Sequence, residues 1–309
     1  MPSLNAMARR AILAAAHNRA TKAFMGRYGM RLGASRFVAG ETLDQCVGVI
    51  RVLNQQGFKC NATLLGEAVA SAADADRAVA EYQGLIKRLA TEHLNCNVAI
   101  KLTLLGLDLG EELAESNMVR LLELSAELGL TMRIDMEDSA HVESTLKIYR
   151  NLLARGCDNV GVVLQSCLRR SAADLESLLP LAPNLRLVKG AYLEGREVAF
   201  PDKAEVDDNY VRLLDQALSG AGYTAIATHD DRMIHHAITF ADQHQIPRDR
   251  FEFQMLYGIR PQLQRELLRK GFTVLVATCY GTHWYPFFMR RLAERPANVL
   301  FLARNLVRR

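Results

Sequence analysis

No apolar run of this 309-residue chain approaches the roughly 18 residues that a bilayer-spanning helix needs. A transmembrane protein is therefore not expected. Paired cysteine motifs are missing too. The six cysteines, at 46, 60, 96, 157, 167 and 279, form no C-x-x-C, and several sit in apolar runs. That pattern predicts buried, reduced thiols of a cytosolic-type protein rather than disulfides or a zinc site. A secretory leader is not expected, because the run Ala11–Ala16 is short and flanked by Arg10, His17 and Arg19. The Arg-rich, acid-free start resembles a transit peptide, but an ordinary surface helix explains it better. No G-x-G-x-x-G opens a helix after a strand, and no Walker, H-E-x-x-H or G-x-S-x-G motif occurs. A Rossmann domain is therefore not expected. Low-complexity linkers are absent, which speaks against a second domain.

What is present is globular: half the residues are apolar and 23% are charged. A chain of this size buries a large core without metal or disulfide staples. At about 150 residues per domain the length suggests two domains, but α/β barrels run to about 250 residues as one unit. The net charge of +4 is unevenly placed. Residues 1–40 hold seven basic residues and no acid; residues 290–309 hold six arginines and one acid; the body between them holds 25 basic and 33 acidic residues.

Eight short apolar runs rich in β-branched residues recur: Phe58–Ala62, Val98–Leu102, Thr131–Asp135, Val160–Gln165, Leu185–Lys189, Thr224–Thr228, Phe251–Gln254 and Thr273–Ala277. Most are continuous rather than alternating, as parallel strands covered by helices should be. Helical patterns lie between them, including Met118–Leu128, Glu143–Ala154, Tyr210–Leu218 and Pro261–Arg269. Strand–helix alternation repeated eight times predicts an α/β fold, a (βα)8 TIM-type barrel over residues 57–309, more than an open sheet. Residues 1–56 read as an N-terminal helical segment packing on it, with an amphipathic helix at Glu41–Leu53. Phe37–Val38 reads as a connector, not a ninth strand.

Chemistry in such a barrel gathers at the C-terminal ends of the strands. Here those ends carry Lys101 and Thr103; Arg133, Asp135, Glu137 and Asp138; Gln165; Arg186, Lys189 and Gly190; Thr228, His229 and Asp230; and Glu252 with Gln254. Any one of these fits a structural ion pair as well as a functional role, since buried charge is costly unless paired. The set, on successive strands near one end, is better explained by a ligand it surrounds. Arg290 and Arg291 follow the apolar run Trp284–Met289. Arginine grips carboxylates with two parallel bonds, and Glu294 is spaced to hold Arg291. The plain alternative is a solvated basic face. His229, His235 and His236 make no convincing metal set, and the last two read as surface histidines.

Three long runs, Arg186–Tyr192 (RLVKGAY), Phe251–Gly258 (FEFQMLYG) and Trp284–Asn298 (WYPFFMRRLAERPAN), resemble the flavin-dependent proline dehydrogenases. Thr228-His229-Asp230, Arg133–Asp138 (RIDMED) and Leu65-Gly66-Glu67 fit as well, and the resemblance runs from about residue 40 to the C-terminus. The size suits the single-function form, without a fused aldehyde dehydrogenase. The resemblance implies a distorted barrel with extra N-terminal helices, holding FAD at its C-terminal face. It implies oxidation of L-proline to Δ1-pyrroline-5-carboxylate, with electrons passed to a membrane quinone and the product passed to a pyrroline-5-carboxylate dehydrogenase. Carried over by position, Asp135 and Arg186 are the active-site pair. Arg290 and Arg291 clamp the substrate carboxylate, with Lys101 beside them and Glu294 orienting Arg291 or Lys101. Met136, Gln165, Arg186, Val188, Lys189, Gly190, Thr228, His229 and Gln254 contact FAD.

Two positions depart from the family pattern, which usually has Tyr where this chain has Ala277 and Phe287. Both changes make the substrate pocket less polar, and Ala277 enlarges it. Either Tyr280 or Tyr285 fills the space, or the pocket takes 4-hydroxyproline or another larger cyclic or N-substituted amino acid. A different class of function is a flavin-free barrel aldolase or lyase with a Schiff base on Lys101 or Lys189. A nucleic-acid partner is not expected from an acidic body without a recognised motif. The expected location is cytoplasmic, with the basic ends as candidates for peripheral contact with anionic lipid at the inner face of the membrane.

Overall fold

A computed structural model describes the chain at residues 25, 28–30, 33–66 and 68–294, with the backbone alone at 290 and 292–294. Eight parallel strands close into a barrel in sequence order. They are β1 (Lys59–Leu64), β2 (Cys96–Ile100), β3 (Met132–Ile134), β4 (Val160–Gln165), β5 (Asn184–Val188), β6 (Tyr223–Ala227), β7 (Phe251–Leu256) and β8 (Val274–Tyr280). The ring closes where Lys59 to Leu64 of β1 run in register with Leu275 to Tyr280 of β8. Helices follow each strand: α2 (Ala72–Thr91), α3 (Glu111–Glu127), α4 (Val142–Ala154), α5 (Ser171–Leu178), α6 (Lys203–Ser219), α7 (Asp231–Gln243), α8 (Pro261–Arg269) and α9 (Trp284–Glu294). Ahead of the barrel, α1 (Leu43–Gln55) starts at Thr42, whose hydroxyl accepts from the Gln45 N–H while the Gln45 side chain returns the bond.

All eight predicted strands are present, with the fourth matching end to end and the others displaced by one to three residues. The displacements have local causes. The second strand stops at Ile100 because residues 102–105 wind into a 3-10 turn. The last strand continues past Ala277 because β1 still offers it partners. Lys101, Asp135, Lys189 and Thr228, expected inside strands, stand just beyond them. Phe37–Val38 is a connector, as expected, and its side chains are buried.

The main core lies between the strands and the helix ring, filled by one face of each strand, such as Val98 and Ile100, Val162 and Leu164, and Phe251 and Phe253. The opposite faces therefore point into the barrel. Interiors of this fold are usually packed with branched apolar side chains. This one holds charge. Side chains of β3 and β5, and of β5 and β7, bond to each other although a strand lies between each pair. Such bonds must cross the interior. Gly161 on the intervening β4 makes one crossing possible: a Cβ there would lie 2.8 Å from Arg133 Nη1 and 2.7 Å from the Asn184 carbonyl. Alanines 225 and 227 on β6 leave room for the other.

A second apolar cluster lies apart from the first. It joins Phe37 and Val38 to Leu65, Cys279, Trp284, Tyr285, Phe288 and Met289. It seats α9 on the connector that precedes α1. The Phe37 and Phe288 rings lie 6.0 Å apart, and Trp284 Nε1 donates to Glu41 Oε1 at 2.8 Å.

Candidate active site

Asp135 and Arg186 are brought together as the sequence suggested. Arg186 Nη1 donates to Asp135 Oδ1 at 2.6 Å, and Arg186 Nε donates to Gln254 Oε1 at 2.6 Å. Arg186 Nη2 is buried and has no partner among the described residues. A buried guanidinium hydrogen left unbonded is expensive, so this donor has a hydrogen bond still to give.

Burial pushes the Cys279 thiol, near the end of β8, up to about 12, and the charges of Asp135, Arg291, Lys101 and Arg186 all act on it. Four predicted site residues thus lie within electrostatic reach of one buried side chain. The Arg291 guanidinium lies over the Phe287 ring, 5.3 Å from its centroid. The side chains of Arg290 and Glu294 lie outside the described residues, as do residues 1–24 and 295–309. Ala277 is half-buried and sits in register with Asn61 of β1 and Leu256 of β7.

The remaining predicted residues line the same end. Gln165 is buried and donates to the Glu137 carbonyl at 2.7 Å. Met136 is buried and Val188, the last residue of β5, is half-buried. Gly190 has φ 107°, and a Cβ on it would fall 2.2 Å from Cys167 Sγ. His229 Nε2 accepts from the Leu256 N–H at 2.9 Å, so the neutral ring carries its proton on Nδ1. The Thr228 hydroxyl accepts from the Asp230 N–H. Lys189 is committed to two carboxylates, Asp207 at 2.6 Å and Asp230 at 2.7 Å. Burial alone would lower its pKa, but these bonds outweigh it and hold the ammonium above its ordinary value. A cleft of about 330 Å³ opens between Lys189, Thr228, His229, Asp230, Asp231 and Arg260. A larger hollow, about 400 Å³, lies between α7 and α8 outside the barrel, where Arg260 pairs with Asp231 and Lys270 with Glu266. It gathers only His235 of the three histidines and no strand-end residue, so the smaller cleft is the relevant one.

Several participants carried no assigned role in the sequence reading, although Glu137 and Glu252 stood among its polar strand-end residues. Glu137 accepts from the Thr103 N–H and hydroxyl, and burial outweighs those bonds to raise its pKa. Glu252 anchors Gln254, with Nε2 donating to Oε1 at 2.6 Å. His141 bridges Asp108 and Asp138 at 2.7 Å each, tying two rim loops together. A signal for the interior network was available: polar residues two apart, as in Arg133/Asp135, Asn184/Arg186 and Glu252/Gln254, share a strand face.

A family model for proline dehydrogenase matches residues 46–304. The chain belongs to the proline dehydrogenase family. It is 42% identical to Proline dehydrogenase 1 of Bacillus subtilis (strain 168) over 303 residues, covering 98% of this chain and all of that one. It is also 42% identical to the Proline dehydrogenase of Deinococcus radiodurans, over 89% of this chain and 90% of that one. Among solved structures, proline utilization A of Bdellovibrio bacteriovorus, inactivated by N-propargylglycine, superposes with TM-score 0.81. Its identity is 23%, over 93% of this chain and 36% of that one, so it supports the barrel fold alone.

Proposed function

We propose that this protein oxidises L-proline to Δ1-pyrroline-5-carboxylate with FAD at the C-terminal mouth of the barrel, and that a quinone takes the electrons. The observation that carries this reading is the fixed Arg186 guanidinium, paired with Asp135 and presenting a buried, unpartnered Nη2. The residues present fit an electron-rich flavin. Arg186, Met136, Gln165, Val188, Gly190, Thr228 and His229 would hold it, with Gln254 and Lys189 acting from behind through Arg186 and Asp230. Bound flavin supplies the hydride acceptor. The chain supplies the rest. Arg186 places fixed positive charge where negative charge accumulates, in a site with little water to screen it. Arg290 and Arg291 take the substrate carboxylate, and Lys101 adds a third cation. Asp135, already bonded to Arg186, positions the amine rather than holding it firmly as ammonium.

The Schiff-base alternative is weakened at Lys189, whose raised pKa and double ion pair keep it protonated and non-nucleophilic. One observation favours a second substrate. Asn61 Nδ2 is buried without a partner among the described residues, and Asn61 pairs in register with the small Ala277. That leaves a hydrogen-bond donor and space for the hydroxyl of 4-hydroxyproline. In family membership and site chemistry alike, proline stands first.

The test is anaerobic flavin reduction by a panel of proline analogues. The purified protein should be yellow, absorbing near about 450 nm as flavins do, and proline should bleach it. A colourless protein that takes up no FAD contradicts the reading. A higher kcat/KM for trans-4-hydroxyproline than for proline selects the second substrate. No helix of the described residues is long and apolar enough to cross a membrane. Contact of the basic ends with anionic lipid is therefore tested by deleting residues 1–24 and measuring liposome binding, which this proposal expects to fall.

A further inference from the structure

Glu252 lies on β7 inside the barrel and is 2% exposed. It touches neither Asp135 nor the mouth. Its carboxylate is nevertheless the far end of a chain that leads there. Oε2 accepts from the Tyr223 hydroxyl at 2.9 Å, and Oε1 accepts from Gln254 Nε2 at 2.6 Å. Gln254 Oε1 in turn accepts from Arg186 Nε, and Arg186 Nη1 donates to Asp135.

The direction of the bonds in this chain is set from both ends, because the Arg186 guanidinium only donates and the Glu252 carboxylate only accepts. Burial and the Glu252 charge both raise the pKa of Tyr223, so its hydroxyl stays protonated and donates. A carboxylate only accepts. Gln254 must therefore turn its NH2 toward Glu252 and its oxygen toward Arg186. The reversed amide would set oxygen against the Glu252 carboxylate and NH2 against the Arg186 N–H. With Nε and Nη1 both engaged, the guanidinium plane is fixed and Nη2 is the donor left without a partner among the described residues. The charge of Glu252 also acts on Arg133, whose pKa burial lowers to about 10, so the carboxylate is set among cations rather than alone. Lys59 Nζ lies 3.9 Å from it.

We propose that Glu252 is a positioning residue for the oxidation: through the amide of Gln254 it sets the orientation of Arg186, and so the rate of hydride transfer rather than substrate affinity. The inference rests on the flavin-dependent reading above. It predicts two results for the FAD-loaded protein. In Glu252→Gln, either end of the new amide can face Gln254, so the chain is held in its direction from the Arg186 end alone. The limiting rate of flavin reduction by proline should fall by on the order of tenfold or more, with KM for proline within about twofold. The midpoint potential of the bound flavin should also fall, because the cation is less well held. In the double variant Glu252→Gln with Gln254→Glu, the new amide donates to the new carboxylate and accepts from Tyr223. An oxygen again faces Arg186. Rate and potential should return to near wild-type values.

The wild-type control separates the two levels of the argument. Wild-type protein that proline fails to bleach overturns the flavin reading and this inference with it. Wild type that is bleached, with an unchanged limiting rate and potential in Glu252→Gln, overturns the inference alone. If the single variant does not fold, the double variant decides. Near-wild-type reduction supports the chain, and a tenfold deficit with flavin still bound overturns it.

Discussion

The barrel interior and the bed beneath α9 are built by different means. Arg186 is fixed by directional bonds that reach across the barrel to Asp135 and to Gln254, the latter tied in turn to Glu252 of its own strand. Arg291 rides on a helix that the second apolar cluster seats, with its guanidinium over Phe287 and a hydrogen bond from Trp284 to Glu41 at the helix start. Hydrogen bonds specify direction, whereas apolar burial specifies proximity and tolerates small rotations. A group that must meet developing charge at a set angle belongs in the first environment. A group that grips an incoming carboxylate works in the second. The connector at 33–41 forms the bed of α9, and on the proposed reading of Arg290 and Arg291 it therefore supports the substrate clamp.

Substitutions in each region separate the two. The largest effect is expected at Phe288, which is fully buried beneath α9. Phe288→Ala should cost about 3–5 kcal/mol, chiefly in the seating of α9. KM for proline should rise tenfold or more, while the melting of the barrel shifts little. Steady-state kinetics beside calorimetry would show it, and an equal loss in both would erase the distinction. Gly161→Ala is the converse. The new methyl meets the Asn184 carbonyl and Arg133, and overpacking of this kind costs about 1–3 kcal/mol. Thermal unfolding should drop by several degrees with KM unchanged. Glu41→Ala should cost about 1 kcal/mol, seen as a severalfold rise in KM with the limiting rate intact.

The smallest effect belongs to the rim. Burial lowers the His141 pKa, but Asp108 and Asp138 outweigh it and hold it above the ordinary value of 6.5. A raised pKa means that folding binds the proton more tightly. The stabilisation is therefore complete below pH 6.5 and is lost as pH rises through the folded value. His141→Gln should lower the melting temperature most in mild acid and least at alkaline pH. The cost should be under about 1 kcal/mol, as for a solvent-screened pair. A difference that grows with pH would contradict the sign.

Much of this was readable from residues. Continuous apolar runs such as Val160–Gln165 could only be buried strands, and their eightfold recurrence specified the barrel. Asp135 and Arg186 stood among the charged strand-end residues, and their pairing followed from the resemblance to the proline dehydrogenases rather than from spacing. Strand ends were less readable, since they depend on what a neighbouring strand still offers, as β1 does for Cys279 and Tyr280. The chain from Glu252 to Asp135 joins three strands that are not adjacent, and sequence spacing carries no trace of which polar residues meet across an interior. Likewise the two carboxylates that hold the Lys189 ammonium, Asp207 and Asp230, lie 18 and 41 residues away, and no spacing pointed to them.

The division of labour between the two regions is tested most directly by anaerobic stopped-flow reduction of the bound flavin at varied proline concentration, in Arg186→Lys and Arg291→Ala beside wild type. Arg291→Ala should weaken proline binding by about 2–4 kcal/mol, roughly 30-fold or more, with the limiting rate close to wild type. Arg186→Lys should lower the limiting rate on the order of a hundredfold with affinity little changed. If both variants moved the same parameter, or if Arg291→Ala bound proline normally while its rate collapsed, the account would be wrong.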